Sequence, residues 1–413
     1  MRKIIASIDI GSDSIKLTVG EFIGKRLSIL SASKVISKGV ENSKVMNREE
    51  LTKSIKHAID ESSNTLGIPV KKVILGINAS NTKLIKSAAA IKIMNENNVI
   101  TGNDIATIIT KCGENKIDEG YALIGVIPVE FTIDGDKVVE DPKGIVSENL
   151  GLKGIVVTAP KEYVLPYMHA VEDAGCKVVD IALNTMGDYY ATMNETTDSK
   201  VGVIINLGNE ISTISIYNKG ILTNTKAYKL GGYNIIRDIG FIKKLDDNTS
   251  RALYRDMAIA TPKLANSKEV RIINNLDGEN IKINQAEISE ITHARLEEIL
   301  KFLKMQINIL TKKEISYIIV TGGLTELKDF YIILESIFGK SAKIGKVELI
   351  GVRDNSFVSS VGILKYFNKK IELRGKVFSI LSNNDIEEMN NKGIETSRED
   401  NSLLSKVFGY FFD

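Results

Sequence analysis

Apolar and polar residues alternate along many short stretches of the chain, a pattern typical of half-buried strands. Residues 6–22 predict a strand, a tight turn and a second strand, and residues 201–220, VGVIINLGNEISTISIYNKG, predict another such hairpin. Leucine and isoleucine at helical spacing predict a helix over 48–68, and KKVILGI (71–77) predicts a strand after it. Strands that alternate with helices in this way indicate an α/β fold.

The stretch from 84 to 163 has a different pattern. One helix, TGNDIATIITKCGENK, precedes three predicted strands, YALIGVIPVEFTIDG, KVVEDPKG and LKGIVVTAP. This order indicates a compact α+β module inserted into the α/β chain. A helix over 161–176, a strand over 177–183 and a helix over 184–193 then return the chain to the α/β pattern.

The second half continues with helices predicted over 250–266 and 285–312. Residues 316–330 predict a buried strand, a diglycine turn and a helix start, and VGILKYF (361–367) closes the predicted folded part. Residues 369–400 are polar and charged, which indicates a solvated linker before the apolar end of the chain.

The two predicted hairpins form an internal repeat. Ile8–Asp13 aligns with Ile205–Glu210, and an alternating strand follows each of them. Duplicated hairpins in the two halves of an α/β chain indicate two similar lobes that face one cleft. Short hairpins also resemble one another by chance, so the repeat alone leaves coincidence open.

Composition narrows the possible functions. The 413 residues suit two or more domains, and 43% hydrophobic residues can form real cores. A net charge of +2 gives no sign of nucleic-acid binding. Cys112 and Cys176 are expected to be buried reduced thiols, and three histidines argue against a zinc site. Asp9 interrupts the basic and apolar N-terminus, so we expect a cytoplasmic protein without a signal peptide.

The first loop has the residues of a phosphate site. A phosphate chain needs backbone N–H groups, a cation and a carboxylate that holds Mg²⁺ through its water shell. Gly11 allows close approach, Ser12 and Ser14 offer hydroxyls, Lys16 reaches the phosphates and Asp9 holds the metal's water. Many β-turns carry Asp-x-Gly-Ser, so the loop alone does not establish the site.

Two diglycines complete the candidate site. Gly322 and Gly323 follow a strand and precede a helix, where adenine and ribose can pack close to the backbone. An ordinary strand-to-helix turn has the same sequence pattern. Gly231 and Gly232 mark a second turn, where ribose and phosphate would lie.

Two phosphate hairpins followed by a late diglycine turn resemble the actin–Hsp70–sugar kinase ATPase superfamily. Within it, the chain resembles the FtsA family of bacterial cell-division actin homologues nearly end to end. SIDIGSDSIKLTVGE resembles that family's first phosphate loop. The most specific segment, VIPVEFTIDGDKVVEDPKGIVSENLGLKGIVV, resembles its subdomain 1C. AVEDAGCKVVDI, ITHARLEEIL and DNSFVSSVGILKYF also fit.

The resemblance implies a two-lobed actin-like (ribonuclease H-like) α/β fold, with an inserted α+β subdomain 1C and a C-terminal amphipathic helix. The implied parts are subdomain 1A (1–83 with 164–192 and about 352–370), subdomain 1C (84–163), subdomain 2A (193–225 with 305–351), subdomain 2B (226–304), a linker (371–401) and a membrane-binding helix (402–413).

The resemblance also implies a function. Such proteins anchor FtsZ filaments to the inner face of the cytoplasmic membrane at the division site. They bind the FtsZ C-terminal peptide through 2B, polymerise into actin-like filaments, and recruit later division proteins partly through 1C. ATP binds between the lobes. Arg295 matches the position whose positive charge helps to hold the FtsZ peptide, although spacing alone fits a solvated arginine.

The second loop departs from the family pattern, Asp-x-Gly-Gly-Gly-Thr. Asn206 replaces the aspartate and brings no charge, Gly208 is kept, and Asn209 and Glu210 stand where glycines would. A carboxylate near a phosphate is repulsive by roughly 1–4 kcal/mol at 4 Å. We therefore expect the binding of ATP and Mg²⁺ to be weak or lost, with no useful ATPase and no catalytic residue.

The last residues, NSLLSKVFGYFFD, predict an amphipathic helix at a membrane interface. Its expected membrane-facing residues are Leu403, Leu404, Val407, Phe408, Phe411 and Phe412. Docking of this helix on its own domain or on a partner protein is the alternative.

Two other functions stay open. A kinase of the same superfamily would need a base in the cleft and an intact second loop. The actin-like type IV pilus assembly protein shares a 1C-type module, but an amphipathic tail would not be expected of it.

Overall fold

We describe a computed structural model of the chain, which covers residues 3–382 except 115, together with 385. The elements of the first half are β1 (Lys3–Ile10), β2 (Ser14–Ile23), β3 (Arg26–Ile36), β4 (Val40–Glu41), β5 (Lys44–Val45), α1 (Arg48–Leu66), β6 (Lys72–Ile77), β7 (Lys83–Lys92), α2 (Gly102–Glu114), β8 (Tyr121–Ile133), β9 (Lys137–Val139), β10 (Asn149–Pro160), α3 (Lys161–Asp173), β11 (Lys177–Leu183) and α4 (Asn184–Thr192).

The elements of the second half are α5 (Glu195–Asp198), β12 (Val201–Leu207), β13 (Ser212–Asn218), β14 (Ile221–Tyr228), α6 (Gly232–Lys243), α7 (Asp247–Met257), β15 (Val270–Asn274), β16 (Asn280–Asn284), α8 (Gln285–Leu310), β17 (Tyr317–Thr321), α9 (Phe330–Phe338), β18 (Ala342–Ile344) and α10 (Val358–Leu373). Short 3-10 helices lie at Pro262–Leu264, Gly323–Glu326 and Asn355–Phe357.

Two five-stranded sheets have the same strand arrangement. The first has the strand order β11-β6-β1-β2-β3. The second has the order β14-β13-β12-β17-β18, which is the same arrangement when it is read from β18 to β14. In each sheet three antiparallel strands are extended by two parallel strands. The duplication expected from the sequence is therefore present as two domains of one topology.

Helices cover both faces of the first sheet, and every residue of β1 from Ile4 to Ile10 is buried. In β1, Ile4 and Ile8 face the core formed with α1 and α3. Ile5 points to the other face, where it packs with Val361 and Leu364 of α10. Strand β1 is thus buried on both sides and lies in the middle of the sheet.

The inserted module lies in the chain between β6 and α3. Its sheet has the order β7-β10-β8-β9, and α2 packs on one face. Ile105, Ile108 and Cys112 of α2 meet Phe131 of β8 and Leu152 of β10 in a separate core. Both cysteines of the chain are buried and free, as the sequence analysis expects.

Helices α4 and α10 touch backbone to backbone. A Cβ atom on Gly362 would collide with the carbonyl oxygen of Gly187, and one on Gly187 would collide with the carbonyl oxygen of Ser359. Only glycine allows this approach. The crossing brings Asp188 of α4 next to Ser359 of α10, between the two domains.

The structure corrects the helix predicted over 250–266. It ends at Met257, because Ile259 pairs with Lys328 as a β-bridge and Pro262 disfavours helical backbone before it. The strand, diglycine turn and helix start predicted over 316–330 are present, with a 3-10 helix at Gly323–Glu326 between the turn and α9.

The solvated linker expected from residue 369 is also wrong over its first part. Helix α10 continues to Leu373, and Ile380 and Leu381 are buried against the first domain. The backbone N–H of Ile380 donates to the carbonyl oxygen of Ile4 at 2.8 Å. The predicted membrane helix, 402–413, lies outside the described residues. Within the part described, no helix is long and apolar enough to span a membrane.

Candidate functional site

A cleft of about 1010 Å³ lies between the two domains. Both hairpin loops, the turn at Gly322 and Gly323, and residues of α4 and α10 line it. This volume is at the upper end of small-molecule sites, which run from roughly 300 to 1,000 Å³. The sequence repeat therefore builds one shared cavity from the two halves.

The first hairpin places all five predicted residues, Asp9, Gly11, Ser12, Ser14 and Lys16, in the cleft lining. Asp9 pairs with Lys16 across the strands, and its carboxylate lies 3.6 Å from the ammonium nitrogen. Both side chains are buried. The backbone N–H of Gly11 donates to the carbonyl oxygen of Ser14 at 3.1 Å and closes the turn.

The second hairpin has the same backbone geometry. The N–H of Gly208 donates to the carbonyl oxygen of Ile211 at 3.1 Å. This bond is equivalent to the one between Gly11 and Ser14 that closes the first turn. Asn206 is the penultimate residue of β12, as Asp9 is of β1. It faces Thr213, whereas Asp9 faces Lys16. Both Asn206 and Gly208 line the cleft, as predicted.

Asp188 is the residue that the sequence analysis missed. Its carboxylate accepts hydrogen bonds from the Asn206 amide at 2.9 Å and from the Ser359 hydroxyl at 2.7 Å. Burial raises the pKa of Asp188 to about 7, the two hydrogen bonds oppose that shift, and the charge of Asp9 adds to it. A buried carboxyl group with a raised pKa thus lines the cleft.

Contacts other than those of Asp188 also join the domains across the cleft. The Glu210 carboxylate accepts a 2.6 Å hydrogen bond from the backbone N–H of Asn42. The Arg251 guanidinium lies 3.6 Å from the Asp13 carboxylate, and its plane also lies over the ring of Tyr233. Glu210 therefore does occupy the cleft, as expected, and it is held there by the opposite domain.

The diglycine at 322 and 323 has the backbone that the sequence predicts. Gly322 has a φ of 94°, and a Cβ atom there would lie 2.5 Å from the carbonyl oxygen of Leu207. A Cβ atom on Gly323 would meet nothing within 4 Å, so this glycine opens onto the cleft. Gly232 also lines the cleft, whereas Gly231 is outside the lining and bonds the Asn234 side chain.

Arg295 lies on α8 and is not part of the cleft lining. Its guanidinium makes a two-pronged ion pair with Asp238 of α6 and a further bond to Glu298. The hydrogen bond to Asp238 raises the pKa of Arg295. Its side chain is 28% exposed, so the charge reaches the surface but is already matched by two carboxylates.

The donor set fits the phosphates of a nucleotide and fits Mg²⁺ in part. Lys16 and the loop hydroxyls and N–H groups suit phosphate oxygens. Asp9 offers a carboxylate for the water shell of Mg²⁺, whereas the unpartnered side-chain oxygen of Asn184 lies against Gly76 of β6. No cluster of three or more histidine, cysteine or acidic side chains forms a direct metal site in the described ranges.

Two family models match the chain. The model described as the SHS2 domain inserted in FTSA matches residues 79–158, which cover nearly all of the inserted module. The model for cell division protein FtsA matches residues 203–362. Together they cover more than half of the 413 residues.

Curated relatives carry the same description over nearly the whole chain. The chain is 24% identical over 377 residues to cell division protein FtsA of Bacillus subtilis (strain 168), covering 91% of this chain and 86% of that protein. It is 23% identical over 369 residues to cell division protein FtsA of Streptococcus pneumoniae serotype 2 (strain D39 / NCTC 7466), covering 89% and 80%.

Solved structures share the fold. The PilM-PilN type IV pilus biogenesis complex matches with a TM-score of 0.57 at 13% identity, covering 88% of this chain and 98% of that chain. MreB5 of Spiroplasma citri bound to ADP matches with a TM-score of 0.52 at 12% identity, covering 90% and 97%. At these identities the likeness shows a common architecture only.

Proposed function

Because the chain belongs to the FtsA family of cell-division proteins, we propose that it anchors FtsZ filaments to the inner face of the cytoplasmic membrane at the division site. There it recruits later division proteins, partly through subdomain 1C. The observation that supports this most strongly is the inserted module between β6 and α3, at the place that the SHS2 model of the family matches.

The FtsZ C-terminal peptide would bind the surface of α6 and α8. Asp238 on α6 holds Arg295, and Phe241 and Ile242 follow three and four positions later, on the same face of the helix. Phe241 is 88% exposed and Ile242 is also exposed. Large exposed apolar side chains beside a positive charge suit a peptide that carries both apolar and acidic residues.

The membrane contact would come from residues 402–413, on the sequence evidence given above. Aromatic side chains would supply most of its binding energy, because Lys406 is the one cation of that segment.

Actin-like domains that stack head to tail make a heterologous contact, which produces filaments instead of closed rings. Filaments of this protein would then present many membrane helices and many FtsZ sites at once.

The cleft would bind ATP with Mg²⁺ weakly. The first hairpin, with Lys16, Ser12 and Ser14, would hold the phosphates, and Asp9 would hold the water shell of the cation. Bound Mg²⁺ would neutralise phosphate charge. Glu210 opposes this binding, since its carboxylate occupies the cleft and repels phosphate.

A reconstitution tests the proposed function. Liposomes, fluorescent FtsZ filaments from the same cell and the purified full chain are mixed, and FtsZ on the membrane is imaged. We expect filaments on the membrane only when the protein is present. Phe241→Ser should abolish FtsZ recruitment but leave the protein itself on the liposomes. Recruitment that is unaffected by omitting the protein would overturn the proposal.

The two alternative functions have less support. A kinase is disfavoured because Asn206 and Glu210 alter the second loop, and the matched family models describe a division protein. Likeness to the PilM-PilN complex rests on 13% identity and concerns the fold. A pilus-type adaptor would be favoured if the protein bound the cytoplasmic peptide of a membrane protein and did not bind the FtsZ peptide.

A further inference from the structure

The first hairpin bonds helix α4 through a carboxylate, and the second hairpin bonds it through an amide. Asp9 in the first hairpin accepts a 2.7 Å hydrogen bond from the amide of Asn184. Asn206 in the second hairpin donates a 2.9 Å hydrogen bond to the carboxylate of Asp188. Both contacts join a carboxylate to an amide, but the roles of strand and helix are exchanged between them.

The exchange follows from the geometry of one helix. Asn184 and Asp188 are four residues apart on α4, so they share a face of that helix. The hairpins are equivalent, because Asp9 and Asn206 are penultimate in β1 and β12 and the same backbone bond closes each turn. A single helix face therefore contacts the equivalent position of both hairpins.

Asp188 is an unusual group to bury. Its side chain is 1% exposed, and within the described residues no lysine, arginine or histidine forms an ion pair with it. Asp9, by contrast, has Lys16 beside it. Two hydrogen bonds compensate the ionised form of this carboxyl group only in part, and that form has no positive partner among the described residues.

We propose that Asp188 supplies, from helix α4, the carboxylate that strand β12 lacks, so that Asp9 and Asp188 together hold the divalent cation of a bound nucleoside triphosphate. The proposal rests on the nucleotide binding proposed above. Asp188 lines the same cleft as Asp9, and Asn184, on the same face of α4, donates its amide hydrogen bond to Asp9. The second carboxylate of the cleft is then present, but it comes from residue 188 of α4 instead of residue 206 of β12.

The proposal explains why Asn206 is an amide. An aspartate at 206 would put two carboxylates within hydrogen-bonding distance, and like charges that close disfavour joint ionisation. An amide at 206 can donate to Asp188 and fix its orientation. Residues 188 and 206 thus form a pair in which only one member can ionise.

The experiment measures how much Mg²⁺ tightens binding of AMPPNP, a non-hydrolysable ATP analogue, as the ratio of the dissociation constants in EDTA and in Mg²⁺. Titration calorimetry is applied to the parent, to Asp188→Asn and to the exchange variant Asp188→Asn with Asn206→Asp. Asp173→Asn, which removes a surface carboxylate paired with Arg48, is the matched control.

We expect Asp188→Asn to lower the Mg²⁺ ratio by about tenfold or more, as loss of an outer ligand does at metal sites. Binding in EDTA should change little, Asp173→Asn should match the parent, and the exchange variant should regain most of the ratio. If Asp188→Asn fails to fold, the exchange variant still carries the test, since it preserves the carboxylate–amide pair.

The proposal is overturned if Asp188→Asn has the same ratio of AMPPNP dissociation constants as the parent. It is also overturned if the exchange variant has a ratio no higher than that of Asp188→Asn. A parent that binds AMPPNP equally well with and without Mg²⁺ overturns it too. A parent that binds no AMPPNP under either condition removes nucleotide binding from the proposed function as well. The FtsZ and liposome experiment stands independently of these outcomes, so the two failures are distinguishable.

Discussion

The carboxylate of Glu210 accepts a 2.6 Å hydrogen bond from the backbone N–H of Asn42, and this bond joins the second domain to the first across the cleft. The ion pair of Arg251 with Asp13 makes a second connection between the same domains. The cleft is therefore held together by the protein's own side chains. A nucleotide that enters must displace Glu210 or accept its charge.

Removing Glu210 should strengthen nucleotide binding. In Glu210→Ala the repulsion between carboxylate and phosphate disappears, which is worth roughly 1–4 kcal/mol at 4 Å. We expect Mg-ATP to raise the melting temperature of this variant more than that of the parent, because a ligand that binds only the folded state stabilises it. Glu314→Ala, which removes an exposed glutamate outside the cleft lining, is the control. Equal shifts in all three proteins would contradict the prediction.

Asp188 should make stability depend on pH near neutrality. Burial raises its pKa from 3.8 to about 7, with Asp9 the charged group that adds to the shift. Between these values the folded state binds more protons than the unfolded state. The free energy of unfolding therefore falls as pH rises, by at most about 1.4 kcal/mol per pH unit.

The comparison is between the parent and Asp188→Asn in urea unfolding at several pH values. The parent should lose stability relative to the variant as the pH rises toward about 7, and the difference should level off above it. Parallel curves across that range would show that Asp188 does not titrate there.

Arg295 and Asp238 should have opposite effects on FtsZ peptide binding. Arg295→Ala removes the positive charge, whereas Asp238→Asn releases that charge from its two-pronged pair. We expect weaker binding in the first and tighter binding in the second, each by about fivefold, since partly exposed ion pairs are worth up to about 1 kcal/mol. Fluorescence anisotropy with a labelled peptide measures both. Arg26→Ala, an exposed arginine of the first domain, should have no effect.

The C-terminal residues should anchor the protein by their apolar side chains. Phe408→Asp with Phe411→Asp places two charges on the predicted membrane face and should release the protein from liposomes in co-sedimentation. Ser402→Asp with Ser405→Asp adds the same charge on the polar face. If both double variants sediment equally, the tail does not bind through that face.

Much of the fold follows from local sequence patterns. Period-two alternation defined β1, β2, β12 and β13, and helical spacing defined α1 and α8, because each element buries one or two faces against a core. The duplicated loop sequences also predicted the shared cleft. The pattern did not separate α7 from the segment after it, since the β-bridge between Ile259 and Lys328 is a contact distant in sequence.

The missing parts of the site depend on tertiary contacts. Asp188 lies in an ordinary helical sequence, NTMGDYYATM, and its importance comes from Asn206 and Ser359 on other elements. One signal was available: Asn184 and Asp188 share a face of α4, which precedes the second hairpin with only the short helix α5 between them. The partner of Glu210 had no such signal, because Asn42 is 168 residues away and offers only its backbone.

Ile380 ties the end of the described chain to the first domain by its bond to Ile4, near the start of the central strand β1. Asp9 lies at the other end of that strand. Mechanical tension on the chain beyond this point would enter the molecule through the buried Ile380 and Leu381 and pass into β1. Pulling single molecules by the C-terminus should release residues 377–381 before either domain unfolds, and Ile380→Asp should remove that first event. Tension applied at the C-terminus would thus be coupled to the position of the first phosphate loop through one strand.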